Sequence, residues 1–152
     1  MSAAAQATSF DELRDLYQRA ILERGRAPRH GRRLDAFDAT ASGDNPMCGD
    51  RCAVFVRRDA GRVAEVGFEA RGCAISVASA DLMAEAVVGL SRAEANTRAE
   101  GLRRMVRVGH SIDAALAPLK PLSGVHEFPS RIKCAMLPWD ALLAALAEGE
   151  PA

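Results

Sequence analysis

The stretch "RCAVFVRRDAGRVAEVGFEA", residues 51–70, contains two β-like runs joined by the turn residues 59–61. Two such runs separated by a short segment containing Gly predict a β-hairpin. In the second run, small or apolar residues occupy positions 64, 66, 68 and 70, whereas Glu65 and Glu69 lie between them. This alternation predicts that one face of the sheet is covered and the other is wet. Helices from the rest of the chain must cover the apolar face.

The segment directly after the hairpin changes from a strand-like to a helix-like pattern. "CAISVASADLMAEAVVG", residues 73–89, is small and apolar on most sides, which is typical of a helix buried against a sheet. Upstream, residues 11–25 form an amphipathic helix that opens with a Ser9–Glu12 capping box and ends near Gly25. Residues 29–50 are rich in Gly, Asp and Ser and predict a loop with at most a short strand.

The C-terminal half predicts three further helical segments. A capping box, Ser91 with Glu94, starts a helix over residues 91–107, and Ser111 caps a short helix over residues 111–119. An irregular stretch rich in Pro and Gly follows up to residue 128. The last helix covers residues 130–148, where Pro138 either kinks the helix or starts a new segment.

This order of elements predicts an α+β fold, a small antiparallel sheet covered on one face by helices. We expect one domain over residues 1–152, with residues 1–8 and 149–152 as flexible tails.

Composition excludes several classes of function. The formal net charge is zero, and the one strongly basic run, "RHGRR" at residues 29–33, favours a solvated loop over contact with an anionic partner, so no nucleic-acid surface is expected. No apolar run approaches the roughly 20 residues of a membrane span. The first ten residues lack a secretory signal pattern, so we expect a cytoplasmic protein. In that reducing compartment, cysteines serve more often as ligands, nucleophiles or core residues than in disulfides.

Three of the four cysteines and one carboxylate lie at junctions between predicted elements. Cys48 and Asp50 precede the first strand of the hairpin, and Cys73 follows the second strand. Because the start of one hairpin strand neighbours the end of the next, these three residues should converge at one edge of the sheet. Cys134 must join them from the last helix.

Three thiolates and one carboxylate suit a tetrahedral Zn²⁺ site or an accessible iron centre. Cys73 would start the buried helix, whose N-terminal dipole stabilises a thiolate. Arg131 and Lys133 flank Cys134 and could offset the negative charge of the ligands.

The same residues also fit plainer interpretations. The Cys48–Asp50 corner could be an ordinary turn, and the cysteines could be unrelated buried residues. Cys52 alternates with Val54 and Val56 and is predicted to be an inert core residue. The three histidines have no His-rich neighbours, which favours surface or hydrogen-bonded roles over metal binding; they are His30, His110 and His126.

Three motifs carry a resemblance to a known family. "NPMCGD" (residues 45–50), "GCAISVASADLM" (72–83) and "FPSRIKCAMLPW" (128–139) resemble, in order and spacing, the signatures of the SufU branch of the IscU/NifU-like iron–sulfur assembly proteins. Lys133 stands where the IscU branch typically has His, and the Leu-Pro-Pro-Val-Lys motif of that branch is missing. Asp81 replaces a usual Ser, which suggests an altered partner-facing surface.

The resemblance implies an IscU/NifU N-terminal-like fold and Cys48, Asp50, Cys73 and Cys134 as zinc ligands. It implies a zinc-dependent sulfurtransferase that accepts persulfide sulfur on Cys48 from a SUF-type cysteine desulfurase and passes it to the SUF scaffold complex. Such a protein is an accessory sulfur acceptor rather than a stand-alone enzyme. Two alternatives stay open: a scaffold that transiently assembles a 2Fe–2S cluster on the same ligands, and a zinc-binding structural module.

Overall fold

A computed structural model gives the fold for residues 10–148. Ser9, the expected cap of the first helix, and the expected tails 1–8 and 149–152 lie outside the described residues. The elements, in chain order, are α1 (Phe10–Arg26), β1 (Ala39–Asn45), β2 (Asp50–Asp59), β3 (Arg62–Arg71), α2 (Ala74–Ala86), α3 (Arg92–Val108), a 3-10 helix (Ala114–Glu127), a 3-10 turn (Pro129–Arg131) and α4 (Ile132–Ala147). This arrangement is the predicted α+β fold.

The sheet is antiparallel with strand order β1-β2-β3. The predicted hairpin is confirmed: Asp59 pairs with Arg62 across a turn in which Ala60 and Gly61 both have positive φ, 54° and 76°. Such a turn matches the twist of the strands that it joins. The prediction of a loop with at most a short strand before residue 50 is wrong, because β1 is seven residues long and pairs along β2.

The tertiary environment explains why β1 escapes sequence-based prediction. Its residues, "ATASGDN", are poor strand formers, but they satisfy the free edge of β2 from Ala39 opposite Val56 to Asn45 opposite Asp50. Gly43 also lies under Leu137 of α4, where an added Cβ would come within 3.1 Å of the leucine Cδ1. β1 is therefore held by pairing and by α4 rather than by its own propensity.

Helices α2 and α4 cover one face of the sheet. The side chains of Val54, Val56 and Phe68 on that face are almost fully buried, as is Trp139 of α4. The other face is only partly wet, which corrects the prediction. Phe55 is buried there against Phe37, with ring centroids 5.1 Å apart.

The basic run at residues 29–33 contributes to that cover and is not simply a solvated loop. The guanidinium of Arg33 lies 5.4 Å from the centre of the Phe55 ring, and Arg32 pairs with Glu65 at 3.1 Å. The backbone N–H of His30 donates to the Asp81 carboxylate at 2.8 Å. Asp81 is fully buried, so the expected partner-facing role of this residue is wrong.

The segment after α3 differs from the prediction of a short helix followed by an irregular stretch. It is one 3-10 helix, capped by Asp113 rather than Ser111, with the Asp113 carboxylate accepting from the N–H of Ala115 at 2.9 Å. A 3-10 helix has three residues per turn, so side chains three apart share one face. The buried side chains recur at that spacing; they are Leu116, Leu119, Leu122 and Val125.

The structure answers two predictions about the C-terminal helices, one on the start of α3 and one on the course of α4 at Pro138. The Ser91–Glu94 capping box of α3 is confirmed, with both reciprocal hydrogen bonds present. The alternative in which Pro138 starts a new segment is wrong, because α4 runs through Pro138. None of the helices between residues 10 and 148 is long and apolar enough to cross a membrane.

Candidate metal centre

A tight turn presents Cys48 at the end of the sheet. The carbonyl of Asn45 accepts from the N–H of Cys48 at 3.2 Å and from the N–H of Gly49 at 2.7 Å. Gly49 has a φ of 77°, a conformation that glycine adopts without steric cost. The turn leaves Cys48 exposed, whereas Asp50 at the start of β2 is only 2% exposed.

Cys73 approaches Asp50 from the end of β3. Its backbone N–H donates to Oδ1 of Asp50 at 3.1 Å, and its thiol donates to Oδ2 at 3.4 Å. Gly72, with a φ of 151°, makes this approach possible, because a Cβ at that position would overlap the Asp50 carboxylate. Cys73 is the N-cap residue of α2, as the sequence predicted.

Cys134 completes the cluster from α4. Its side chain is fully buried, and its Sγ lies 3.7 Å from Sγ of Cys48. The Sγ atoms of Cys48 and Cys134 and a carboxylate oxygen of Asp50 all lie within 4.8 Å of one another. The structure therefore brings together all four residues that the sequence singled out, with Cys73 joined to the group through Asp50.

Electrostatics in the cluster favour an ionised carboxylate. Burial alone would raise the pKa of Asp50, but hydrogen bonds from the Cys134 thiol, the Cys73 N–H and the other two thiols lower it below its usual value. Burial raises the pKa of the Cys134 thiol, and its contacts with Asp50 and Cys48 raise it further. Without a cation, these pKa shifts favour the ionised carboxylate at Asp50 and disfavour a thiolate at Cys134.

A positive group stands beside these thiols. The pKa of Arg131 is raised above its usual value by a hydrogen bond with the Cys134 thiol and by attraction to Cys73. Lys133 is exposed next to Cys134 in the sequence. Arg131 thus supplies positive charge beside an anionic cluster.

Cys52 and the histidines lie outside this group. Cys52 is 1% exposed, and burial raises the pKa of its thiol to about 12, which confirms the prediction of an inert core residue. His30 contacts Glu85, with 2.9 Å between Nε2 and Oε2, and His126 packs over Gly109. Among the described residues, the group with metal-ligand geometry contains no histidine.

The spacing of the ligand atoms fits a tetrahedral zinc ion. Two thiolates on one tetrahedral zinc, with Zn–S bonds of about 2.3 Å, lie about 3.8 Å apart, and a thiolate and a carboxylate oxygen lie about 3.6 Å apart. The corresponding distances are 3.7 Å for Cys48 to Cys134 and 3.4 Å for Cys73 to Asp50. Cys73 is not among the residues whose ligand atoms all lie within 4.8 Å of one another, so its thiol would have to turn from Asp50 towards the two other thiols to bind the same ion.

Sequence reasoning missed a buried hydrogen bond that joins the two helices of the site. Ser79 in α2 donates to the carbonyl of Ala135 in α4 at 2.6 Å, and Ser79 is fully buried. This bond connects the helix that begins after Cys73 to the residue directly after Cys134. Serines within a mainly small and apolar helix were the available signal, because buried polar groups need partners.

The fold and the site together define a class, that of small α+β proteins with a thiolate–carboxylate cluster at one end of a helix-covered sheet. Residues 16–150 match the family model described as the NifU-like N terminal domain. The chain belongs to this family, which includes relatives named as iron–sulfur cluster assembly scaffold proteins.

Two named relatives and one solved structure illustrate the likeness. The chain is 34% identical to the iron–sulfur cluster assembly scaffold protein IscU of Streptococcus pyogenes serotype M1, over 91% of this chain and 87% of the relative. It is 35% identical to the zinc-dependent sulfurtransferase SufU of Bacillus subtilis (strain 168), over 89% and 92%. A crystal structure of a putative SUF-system scaffold protein from Fervidobacterium islandicum AW-1 has a TM-score of 0.76 at 30% identity, covering 84% of this chain and 93% of that one.

Proposed function

We propose that this protein is a zinc-dependent sulfurtransferase of iron–sulfur cluster assembly. It accepts persulfide sulfur on Cys48 from a SUF-type cysteine desulfurase and passes it to a SUF scaffold complex. The observation that carries the proposal is the pairing of an exposed thiol, Cys48, with the buried thiol of Cys134 at 3.7 Å, in one cluster with Asp50. The similarity to a relative named as a zinc-dependent sulfurtransferase supports it.

The zinc ligands in this proposal are Cys48, Asp50, Cys73 and Cys134. When bound, zinc would stabilise the thiolate form of these cysteines, which burial disfavours at Cys134. Three thiolates and a carboxylate leave an excess of negative charge around a divalent ion. Arg131 and Lys133, which flank Cys134 in the sequence, would offset it.

Exposure makes Cys48 the reactive thiol among the three proposed cysteine ligands. A partner protein can reach Cys48, whereas Asp50 and Cys134 are buried and Cys73 is half-buried. The Cys48 thiolate attacks the outer sulfur of the donor's cysteine persulfide. The S–S bond of the donor breaks, its cysteine leaves as a thiolate, and a new S–S bond forms on Cys48. The transferred sulfur keeps its oxidation state, so the step needs no oxidant or reductant.

The first test measures metal content and desulfurase turnover together. Protein purified without added metal should carry one zinc per chain and stimulate a SUF-type cysteine desulfurase. Cys48→Ser should lose the stimulation, while the matched control Cys52→Ala keeps it because Cys52 faces the core. Equal stimulation by Cys48→Ser and the unsubstituted protein would refute the role of Cys48.

The alternative is a scaffold that transiently assembles a 2Fe–2S cluster on the same ligands. The similarity to a relative named as a scaffold protein IscU, at 34% identity over 91% of this chain, favours it. Purified protein that carries iron with a visible charge-transfer spectrum, and that barely stimulates the desulfurase, would support the scaffold. A protein that unfolds on metal removal and in which Cys48→Ser changes only metal affinity would instead be a structural zinc module.

A further inference from the structure

We infer that Gly25 in α1 is a positioning residue for Cys73: the missing side chain lets α1 rest on the first residue of α2 and so fixes the place of the Cys73 thiol. The expected effect of Gly25 on zinc binding rests on the proposed function, in which Cys73 is a zinc ligand.

The contact between α1 and the start of α2 is unusually close. A Cβ built on Gly25 would lie 2.8 Å from Cβ, 2.9 Å from Cα and 3.0 Å from the carbonyl oxygen of Ala74. Two of these three atoms belong to the backbone, which cannot rotate away as the tip of a long side chain can. Any side chain at Gly25 therefore pushes either α1 or the backbone next to Cys73.

An ion-pair network between α1 and α2 opposes any movement of α1 away from α2. Arg24, the neighbour of Gly25, binds Asp81 of α2 at 2.8 Å and both oxygens of Glu85 at 2.7 and 3.1 Å. Asp81 is fully buried, so separating it from Arg24 would leave an uncompensated charge in the protein interior. The same carboxylate accepts from the N–H of His30 at 2.8 Å, which also fixes the chain after α1. The displacement caused by a larger residue would thus fall on Ala74.

The backbone of Cys73 is held from two sides. Its N–H donates to Asp50, and its carbonyl accepts from the N–H of Val77 in the first turn of α2 at 3.2 Å. As N-cap residue, Cys73 makes no side-chain capping bond of its own. The start of α2 therefore sets where its thiol lies, and α1 sets the start of α2 through Gly25.

The test compares Gly25→Ala with Gly124→Ala, where an added Cβ meets nothing within 4 Å. Two quantities are measured on the protein as purified: zinc release to a chelator and hydrogen exchange of the Cys73 amide. Gly25→Ala should increase both rates about tenfold, the scale typical of groups that support metal ligands, whereas Gly124→Ala should change neither. Helix propensity alone predicts the opposite, a more stable α1 with unchanged rates.

Arg24→Lys provides a second variant should Gly25→Ala fail to fold. It keeps a positive charge near Asp81 but loses the forked contact with Glu85, so it loosens α1 without leaving Asp81 unpaired. The matched control is Arg19→Lys, at an exposed position of α1. Arg24→Lys should release zinc faster, and exchange its Cys73 amide faster, than this control. Amide exchange does not require metal, so it tests the inference even in a protein without zinc, where the proposed function would fail. Unchanged Cys73 exchange in the folded variants overturns the inference, whether or not zinc release changes.

Discussion

The thiol of exposed Cys48 lies 3.7 Å from the thiol of fully buried Cys134. Cys48 is accessible to a partner protein, whereas Cys134 lies in α4 with its side chain buried in the protein interior. This asymmetry suits a site that holds sulfur ligands and yet reacts through one of them.

Asp50→Ala should leave the protein folded but speed zinc release by about tenfold or more, because a fourth ligand is lost. Release can be followed with a colorimetric chelator, and far-UV circular dichroism checks the fold. Asp44→Ala, at an exposed residue of β1 close to the same end of the sheet, is the matched control. Zinc release that is the same in Asp50→Ala and in the control would remove Asp50 from the ligand set.

Alkylation should separate the cysteines by exposure. In metal-free protein, iodoacetamide near neutral pH should modify Cys48 first and leave Cys52 unmodified until the protein unfolds. Cys52 is 1% exposed with a pKa of about 12, and a buried neutral thiol is a poor nucleophile. Peptide mass spectrometry reports each site. Modification of Cys52 at a rate comparable to that of Cys48 would contradict its place in the core.

Arg24→Met should lower the free energy of unfolding by about 3 kcal/mol, because it leaves the buried carboxylate of Asp81 without a charged partner. The double variant Arg24→Met/Asp81→Ala removes both charges and should recover part of the loss. Urea unfolding followed by Trp139 fluorescence measures both values. A single variant as stable as the unsubstituted protein would mean that the ion pair does not hold α1.

Part of the free energy of unfolding should depend on pH through the ionisation of Glu85. Its hydrogen bond with Arg24 lowers its pKa from 4.5 to about 2. A folded-state pKa below the unfolded value stabilises the protein above about pH 4.5, and this stabilisation is lost as the pH falls towards 2. Because the Glu85 side chain is 38% exposed, the effect should be modest. The melting temperature of metal-free protein should therefore fall more steeply with acid than that of Glu85→Gln; parallel profiles would contradict the assignment.

The sequence predicted the parts of the fold that local patterns encode, and it missed the parts that depend on distant contacts. The hairpin, the α3 capping box and the burial of Cys52 follow from alternation, spacing and caps. β1 could not be predicted, since "ATASGDN" becomes a strand only because β2 offers an edge and Leu137 packs over Gly43. The 3-10 helix was missed because prolines indicated irregularity, although the buried residues recur every three positions.

The sequence predicted which residues form the site, but it did not predict the long-range contacts that hold the surrounding helices in place. Junction positions and the hairpin rule brought Cys48, Asp50 and Cys73 to one edge, and the structure brings them there. Asp81 was misplaced on the partner-facing surface because its partners, Arg24 and the N–H of His30, lie more than fifty residues away in the chain. Long-range ion pairs of this kind leave no local sequence pattern.

The most direct test of the central claim is to locate the sulfur on the protein itself. The protein is incubated with a SUF-type cysteine desulfurase and L-cysteine, trapped with an alkylating reagent and mapped by peptide mass spectrometry. We expect one added sulfur atom on the peptide that carries Cys48, and none on the peptide that carries Cys52. Sulfur that never appears on Cys48, while the desulfurase turns over in the presence of the protein, would contradict sulfur transfer to Cys48.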